Sequence, residues 1–127
     1  MKLQLMIIVP LLFLSACVSP TVWGSNERVE RNLRRIVPLG SSISKLRFEA
    51  QKRDWRIDNR NIVIHGYGVK TYFDDTHLVC RGMGGPVVPS LVAEYWSPFL
   101  TSVEVMWVFD RDRRLRDVCV RKTADSI

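Results

Sequence analysis

The sequence predicts an α+β domain: two N-terminal helices packed on an antiparallel β-sheet, in two layers. Three observations predict it. Apolar residues recur at helical spacing between residues 27 and 54. Beyond residue 62 the pattern changes to alternation, clearest in Val103, Val105, Trp107 and Phe109. Short polar clusters at Asp74-Asp75 and at 110–113 separate the alternating stretches, as hairpin turns do.

The first helix is expected over 27–36. Asn26 can cap it, and Glu27 and Glu30 fall in the first turn, where the helix dipole favours anions. Val29, Leu33 and Ile36 form one apolar stripe, and Arg28, Arg31, Arg34 and Arg35 occupy the remaining surface. Val37-Pro38-Leu39-Gly40 then breaks the chain. A second helix is expected from Ser42 to about Asp54, capped by Ser41 or Ser42. Its inward stripe is Ile43, Leu46 and Ala50, with Lys45, Gln51, Lys52 and Arg53 facing water. Phe48 lies off the stripe, placed to meet a neighbour. Trp55 and Ile57 return the chain to the core.

Over 62–73, Val63, His65, Tyr67, Val69, Thr71 and Phe73 share one strand face, and Gly66 and Gly68 the other. After Asp74-Asp75, another strand starts between His77 and Cys80. Gly82-Met83-Gly84-Gly85-Pro86 reads as a flexible loop, and Pro89 and Pro98 argue against a central strand over 87–99. The clearest strand is 101–109. After the polar turn, residues 115–122 return as the last strand.

The N-terminus has its own logic. Lys2 precedes an apolar run from Leu5 to Leu14. Ten helical residues rise roughly 15 Å, about half a hydrocarbon core, so the run suits a signal peptide and not a membrane span. Pro10 would also break a long membrane helix. The run ends in Leu14-Ser15-Ala16-Cys17, which resembles the lipobox of bacterial lipoproteins: a large apolar residue and two small ones before cysteine. The resemblance implies cleavage before Cys17 and a covalent lipid on its sulfur, with no other cofactor expected. Val18 stands where inner-membrane lipoproteins commonly carry aspartate, which by the same resemblance implies the periplasmic face of an outer membrane. The expected organisation is a signal peptide over 1–16, a lipidated tether over 17–26, and one α+β domain over 27–127. Residues 18–26 lack an apolar period and contain Pro20 and Gly24; fully extended, they reach about 30 Å. Trp23 within them can meet the lipid interface or pack on the domain.

The formal net charge is +6, falling to +5 when Lys2 leaves with the signal. A basic surface favours acidic partners, and nucleic acid does not fit an exported protein. Arg28, Arg31, Arg34 and Arg35 are expected to face anionic headgroups, with a plain solvated face as the alternative. Once Cys17 is acylated, Cys80 and Cys119 are expected to pair, because exported thiols meet an oxidising compartment. Two buried reduced cysteines are the alternative. No CxxC and no paired histidine spacing supports zinc.

Two further stretches carry a family echo. Val37-Pro38-Leu39-Gly40-Ser41-Ser42 enters a helix that ends near Trp55, and Val108-Phe109-Asp110-Arg111-Asp112-Arg113-Arg114-Leu115 reads as the last hairpin. With two helices, a sheet and a lipid tether, this resembles the small outer-membrane lipoproteins of the BamE (SmpA) type. That family often has glycine in the hairpin turn, where this chain has Arg113-Arg114. The resemblance implies a two-layer α+β binding module.

The residues do not suggest an enzyme, and no metal site is expected. His65 lies on a strand face among apolar neighbours. Asp74, Asp75 and His77 have metal-binding chemistry but fit a solvated turn. Ser90 and Ser97 lack a GxSxG context, Glu94 and Glu104 are not placed together by the sequence, and the 82–85 glycines lack the Lys-Ser/Thr of a P-loop. A binding surface is expected at Tyr95, Trp96 and Phe99, together with the 82–85 loop, because rim aromatics contribute large contact area. These readings point to a membrane-anchored envelope lipoprotein acting as a protein-binding or scaffold module. The alternative is a periplasmic inhibitor or immunity-type lipoprotein that blocks a toxin or lytic enzyme.

Overall fold

A computed structural model describes residues 20–60, 62, 80–96 and 99–125. Among the described residues, two α-helices, α1 (Asn26–Ile36) and α2 (Ile43–Arg53), precede four strands: β1 (Arg56–Ile57), β2 (Gly84–Trp96), β3 (Leu100–Asp110) and β4 (Leu115–Asp125). The strands form one antiparallel sheet in the order β1-β2-β3-β4. The predicted α+β class is therefore the observed one. The expected strand over 62–73, with His65, lies outside the described residues except for Ile62; Asp74, Asp75, His77 and Ser97 also lie outside them.

Both helices form on the predicted stripes. In α1, Val29 and Leu33 are fully buried and Ile36 packs at the margin of the core. Its cap is Ser25, not Asn26: the Ser25 hydroxyl accepts the Arg28 N–H at 3.2 Å. The chain reaches this cap through Gly24 at φ +96°, a left-handed turn that glycine takes without strain. In α2, the Ser42 hydroxyl accepts the Lys45 N–H at 3.2 Å, and Leu46 and Ala50 are buried. Glu49 is buried too. Its carboxylate accepts from Lys45 Nζ at 2.9 Å and from Arg53 Nη1. Asp54 ends the helix in the left-handed region.

The helix-side face of the sheet carries Val103, Val105, Trp107 and Phe109 from β3, all buried as the alternation predicts. Trp107 stacks on Trp55 with centroids 5.7 Å apart, and its indole N–H donates to Ser90 Oγ at 2.8 Å. Ser90 in turn donates to the Val105 carbonyl at 3.3 Å. A second cluster on the opposite face holds Val87, Val108 and the Cys80–Cys119 disulfide, whose Cα atoms are 5.9 Å apart. The predicted pairing of these cysteines is thus present.

Two expectations change. Residues 84–96 are not a loop followed by a doubtful segment; they are one 13-residue strand lying between β1 and β3. Gly85 is there for close approach and not for flexibility, since a Cβ would stand 1.8 Å from the Asp110 carbonyl oxygen. Pro89 is tolerated because its carbonyl accepts the Asp58 N–H at 2.9 Å, which puts its missing donor on the β1 side, just past the end of that two-residue strand. The tether also shortens. Pro20–Val22 form a 3-10 turn, and Val22 is buried in the main core. Residues 18 and 19 are then all that separates the folded unit from Cys17, its expected anchor.

The outer edge of β4 is closed by α1. Val118 and Val120 direct their N–H groups away from β3. Val120 donates to Glu30 Oε1 at 3.3 Å and Val118 to Asp117 Oδ1 at 2.8 Å. Arg34 reaches both carboxylates, 3.3 Å from Asp117 and 3.9 Å from Glu30. Edge amides that would otherwise invite another strand are thus satisfied by side chains.

Burial raises the Glu30 carboxyl above its ordinary value, against the opposing pull of the Val120 N–H and of Arg34. A raised folded-state value means that Glu30 favours folding most below 4.5, and that this contribution is lost as pH rises through the raised value. Glu30→Gln keeps an acceptor for Val120 and removes the buried charge. Its stability relative to the native chain should therefore rise with pH across that window. Glu30→Ala leaves the amide without its acceptor and should cost about 1–3 kcal/mol in urea unfolding.

The β3–β4 turn yields a second test. The Asp110 carboxylate accepts the N–H groups of Asp112 at 2.9 Å and Arg114 at 3.0 Å, and Arg116 Nε at 2.5 Å. These bonds, with that of Arg114 first, hold its carboxyl below the ordinary 3.8. Arg113 completes the turn at φ 58°, a conformation that disfavours a side chain by about 1–2 kcal/mol. Arg113→Gly should raise the melting temperature; a lower one would contradict the turn geometry.

Candidate functional site

The contacts that close the β4 edge also fix direction. Gly24, just before α1, and then Glu30 and Arg34 within it touch β4, and their partners run Lys122, Val120, Asp117. Helix and strand are therefore antiparallel, and the start of α1 lies at the C-terminal end of β4. The same end holds the β2–β3 connection, because Ala124 of β4 faces Thr101 and Thr101 faces Tyr95.

At this end Trp23 stacks on Tyr95, with centroids 5.9 Å apart and planes 17° from parallel. Tyr95 is half-buried against the core. Trp96, the next residue along the pleat, faces the opposite side of the sheet and is 66 % exposed. Phe99 is 47 % exposed and Trp23 52 %. Aromatic side chains thus flank the sheet end on both faces. Lys122 donates to the Gly24 carbonyl at 2.7 Å, and burial lowers its ammonium pKa.

The predicted binding residues Tyr95, Trp96 and Phe99 are therefore together. The 82–85 segment is not with them: Gly84 and Trp96 are the two ends of β2, roughly 40 Å apart at strand rise. The four arginines also separate. Arg28 is exposed beside Gly24, at the aromatic end. Arg31 and Arg35 are exposed further along α1, with Arg35 about 10 Å beyond Arg28 along the axis. Arg34 is partly exposed but turned onto Asp117, and its Nε is buried without a hydrogen bond among the described residues.

Residues weighed for catalysis have structural partners. Ser90 is buried beneath Trp107. Glu94 accepts from Arg56 at 3.3 Å and Glu104 from Arg121 at 2.9 Å, so each carboxylate faces its own arginine. Among the described residues no three His, Cys, Asp or Glu side chains converge, and no helix is long and apolar enough to cross a membrane.

The Trp23–Tyr95 contact was the feature least visible in the sequence. Its signal was one aromatic residue, six positions after Cys17, in a stretch without periodicity. The chain matches no protein-family model, no curated protein and no solved structure.

Burial sets different costs for neighbouring aromatics. Trp96→Ala should change unfolding free energy by no more than about 0.5 kcal/mol, as at other exposed positions. Tyr95→Ala removes both core contact and the stacked partner of Trp23, and should cost about 1–3 kcal/mol. Equal losses in thermal unfolding would contradict the opposite facing of the two rings.

Proposed function

We propose that the chain is a lipoprotein of the bacterial cell envelope, acylated on Cys17 and held on the periplasmic face of the outer membrane. Its α+β domain serves there as a protein-binding or scaffold module and not as an enzyme. The observation that carries this reading is the Leu14-Ser15-Ala16-Cys17 box directly after a ten-residue apolar run. The Cys80–Cys119 disulfide supports it, because such bonds persist in oxidising compartments. The engagement of Ser90, Glu94 and Glu104 in structural contacts favours binding over catalysis. The resemblance to BamE-type lipoproteins supports a scaffold role.

Mass spectrometry of the mature protein should find an acylated N-terminal Cys17, and Cys17→Ala should leave the membrane fraction. A retained Met1, or a cut elsewhere, contradicts the reading. Alkylation without reductant should label neither Cys80 nor Cys119. Replacing both should cost up to about 4 kcal/mol, the loop-closure value for their separation of 39 residues. Cross-linking in intact cells then separates the roles: capture of envelope-assembly proteins supports the scaffold, whereas capture of a toxin or lytic enzyme supports an inhibitor.

A further inference from the structure

We infer that Trp23, Trp96 and Phe99 form a foot that seats the domain in the headgroup region of the bilayer. This rests on the reading of Cys17 as the lipid anchor. Three residue steps separate Cys17 from Pro20, a reach of at most about 11 Å. Pro20 begins the 3-10 turn whose Val22 is locked into the core, and Trp23 follows it directly onto Tyr95. The anchored end of the domain is therefore the aromatic end. It cannot stand 30 Å away on a loose tether, because residues 20–26 are already built into the fold.

The chemistry of that end suits the interface. Indole rings have an apolar body and one polar N–H, and they concentrate where hydrocarbon meets headgroups. Trp23 lies on the helix side of the sheet end and Trp96 on the opposite side, so both faces of the rim carry a ring. Phe99, between β2 and β3, adds an exposed apolar group. Arg28 is beside Gly24 at the same end, within reach of phosphate. Glu27 and Glu94 lie at this end as well, and Glu94 is paired with Arg56. The contact therefore depends on the aromatic rings more than on net charge, and neutral lipid suffices for it. Seated this way, the domain stands with α1 and the strands rising from the bilayer. Arg35 is then carried about 10 Å above Arg28, away from the headgroups.

The test uses the mature acylated protein reconstituted into phosphatidylcholine vesicles, with and without lipids brominated high on their acyl chains. Tryptophan emission should be quenched by the brominated lipid. The double variant Trp23→Phe/Trp96→Phe should lose most of that quenching, since Trp55 and Trp107 are buried. Mass spectrometry of the same sample reports acylation. An acylated protein whose emission is identical in both vesicles overturns the foot and leaves the anchor standing. A chain with no lipid on Cys17 removes the premise of both. A photo-cross-linking residue at position 96 that captures a protein and not lipid returns Trp96 to a protein partner and also overturns the foot.

Discussion

The arrangement depends on how α1 closes the free edge of β4. An exposed edge strand offers unpaired N–H groups to any passing strand. Here Val120 is satisfied by Glu30 and Val118 by Asp117, and Arg34 lies between the two carboxylates. The three charged groups are only partly buried, so attraction among them is screened and contributes modestly. Their larger effect is geometric. They allow α1 one direction along β4, and that direction brings residues 20–24 to the end where β2 turns into β3. The stack of Trp23 on Tyr95 follows from it.

This geometry gives the two ends of the molecule different characters. One end carries Trp23, Trp96, Phe99 and Arg28. The other carries the Asp110 turn, Gly84 and the link between α1 and α2, joined where Gly40 donates to Leu115 at 2.7 Å and Leu115 to Ser41 at 2.8 Å. Phe48, 61 % exposed on α2 beneath Lys45, is a large apolar side chain apart from the aromatic end.

The elements read correctly from sequence are those whose periodicity survives burial on one side. Val29 with Leu33, Leu46 with Ala50, and the alternation from Val103 to Phe109 each mark one buried face. The cysteine pair was legible from the even count left in a chain read as exported. Strand β2 was not, because Gly84, Gly85, Pro86 and Pro89 have the composition of a turn. What admits them is tertiary: the backbone of Asp110 pressed against Gly85, and the end of β1 beside Pro89. The α1 cap fell one residue early because Ser25 and Asn26 are equally able caps and the turn at Gly24 decides between them. At the candidate site, Tyr95, Trp96 and Phe99 were legible as a cluster of neighbours in sequence. The arrival of Trp23 was not, since a contact between distant segments leaves no local pattern.

Amide hydrogen exchange at Val118 and Val120 tests the central claim most directly. Edge-strand amides without partners exchange rapidly, whereas an amide held by a carboxylate from α1, as Val120 is by Glu30, exchanges only when α1 lifts away. The account predicts that both are protected in the native protein, and that Glu30→Ala releases Val120 while the amides pairing β3 to β4 stay protected. Rapid exchange of Val120 in the native chain would mean that α1 does not close the edge, and the direction it gives residues 20–24 would no longer follow.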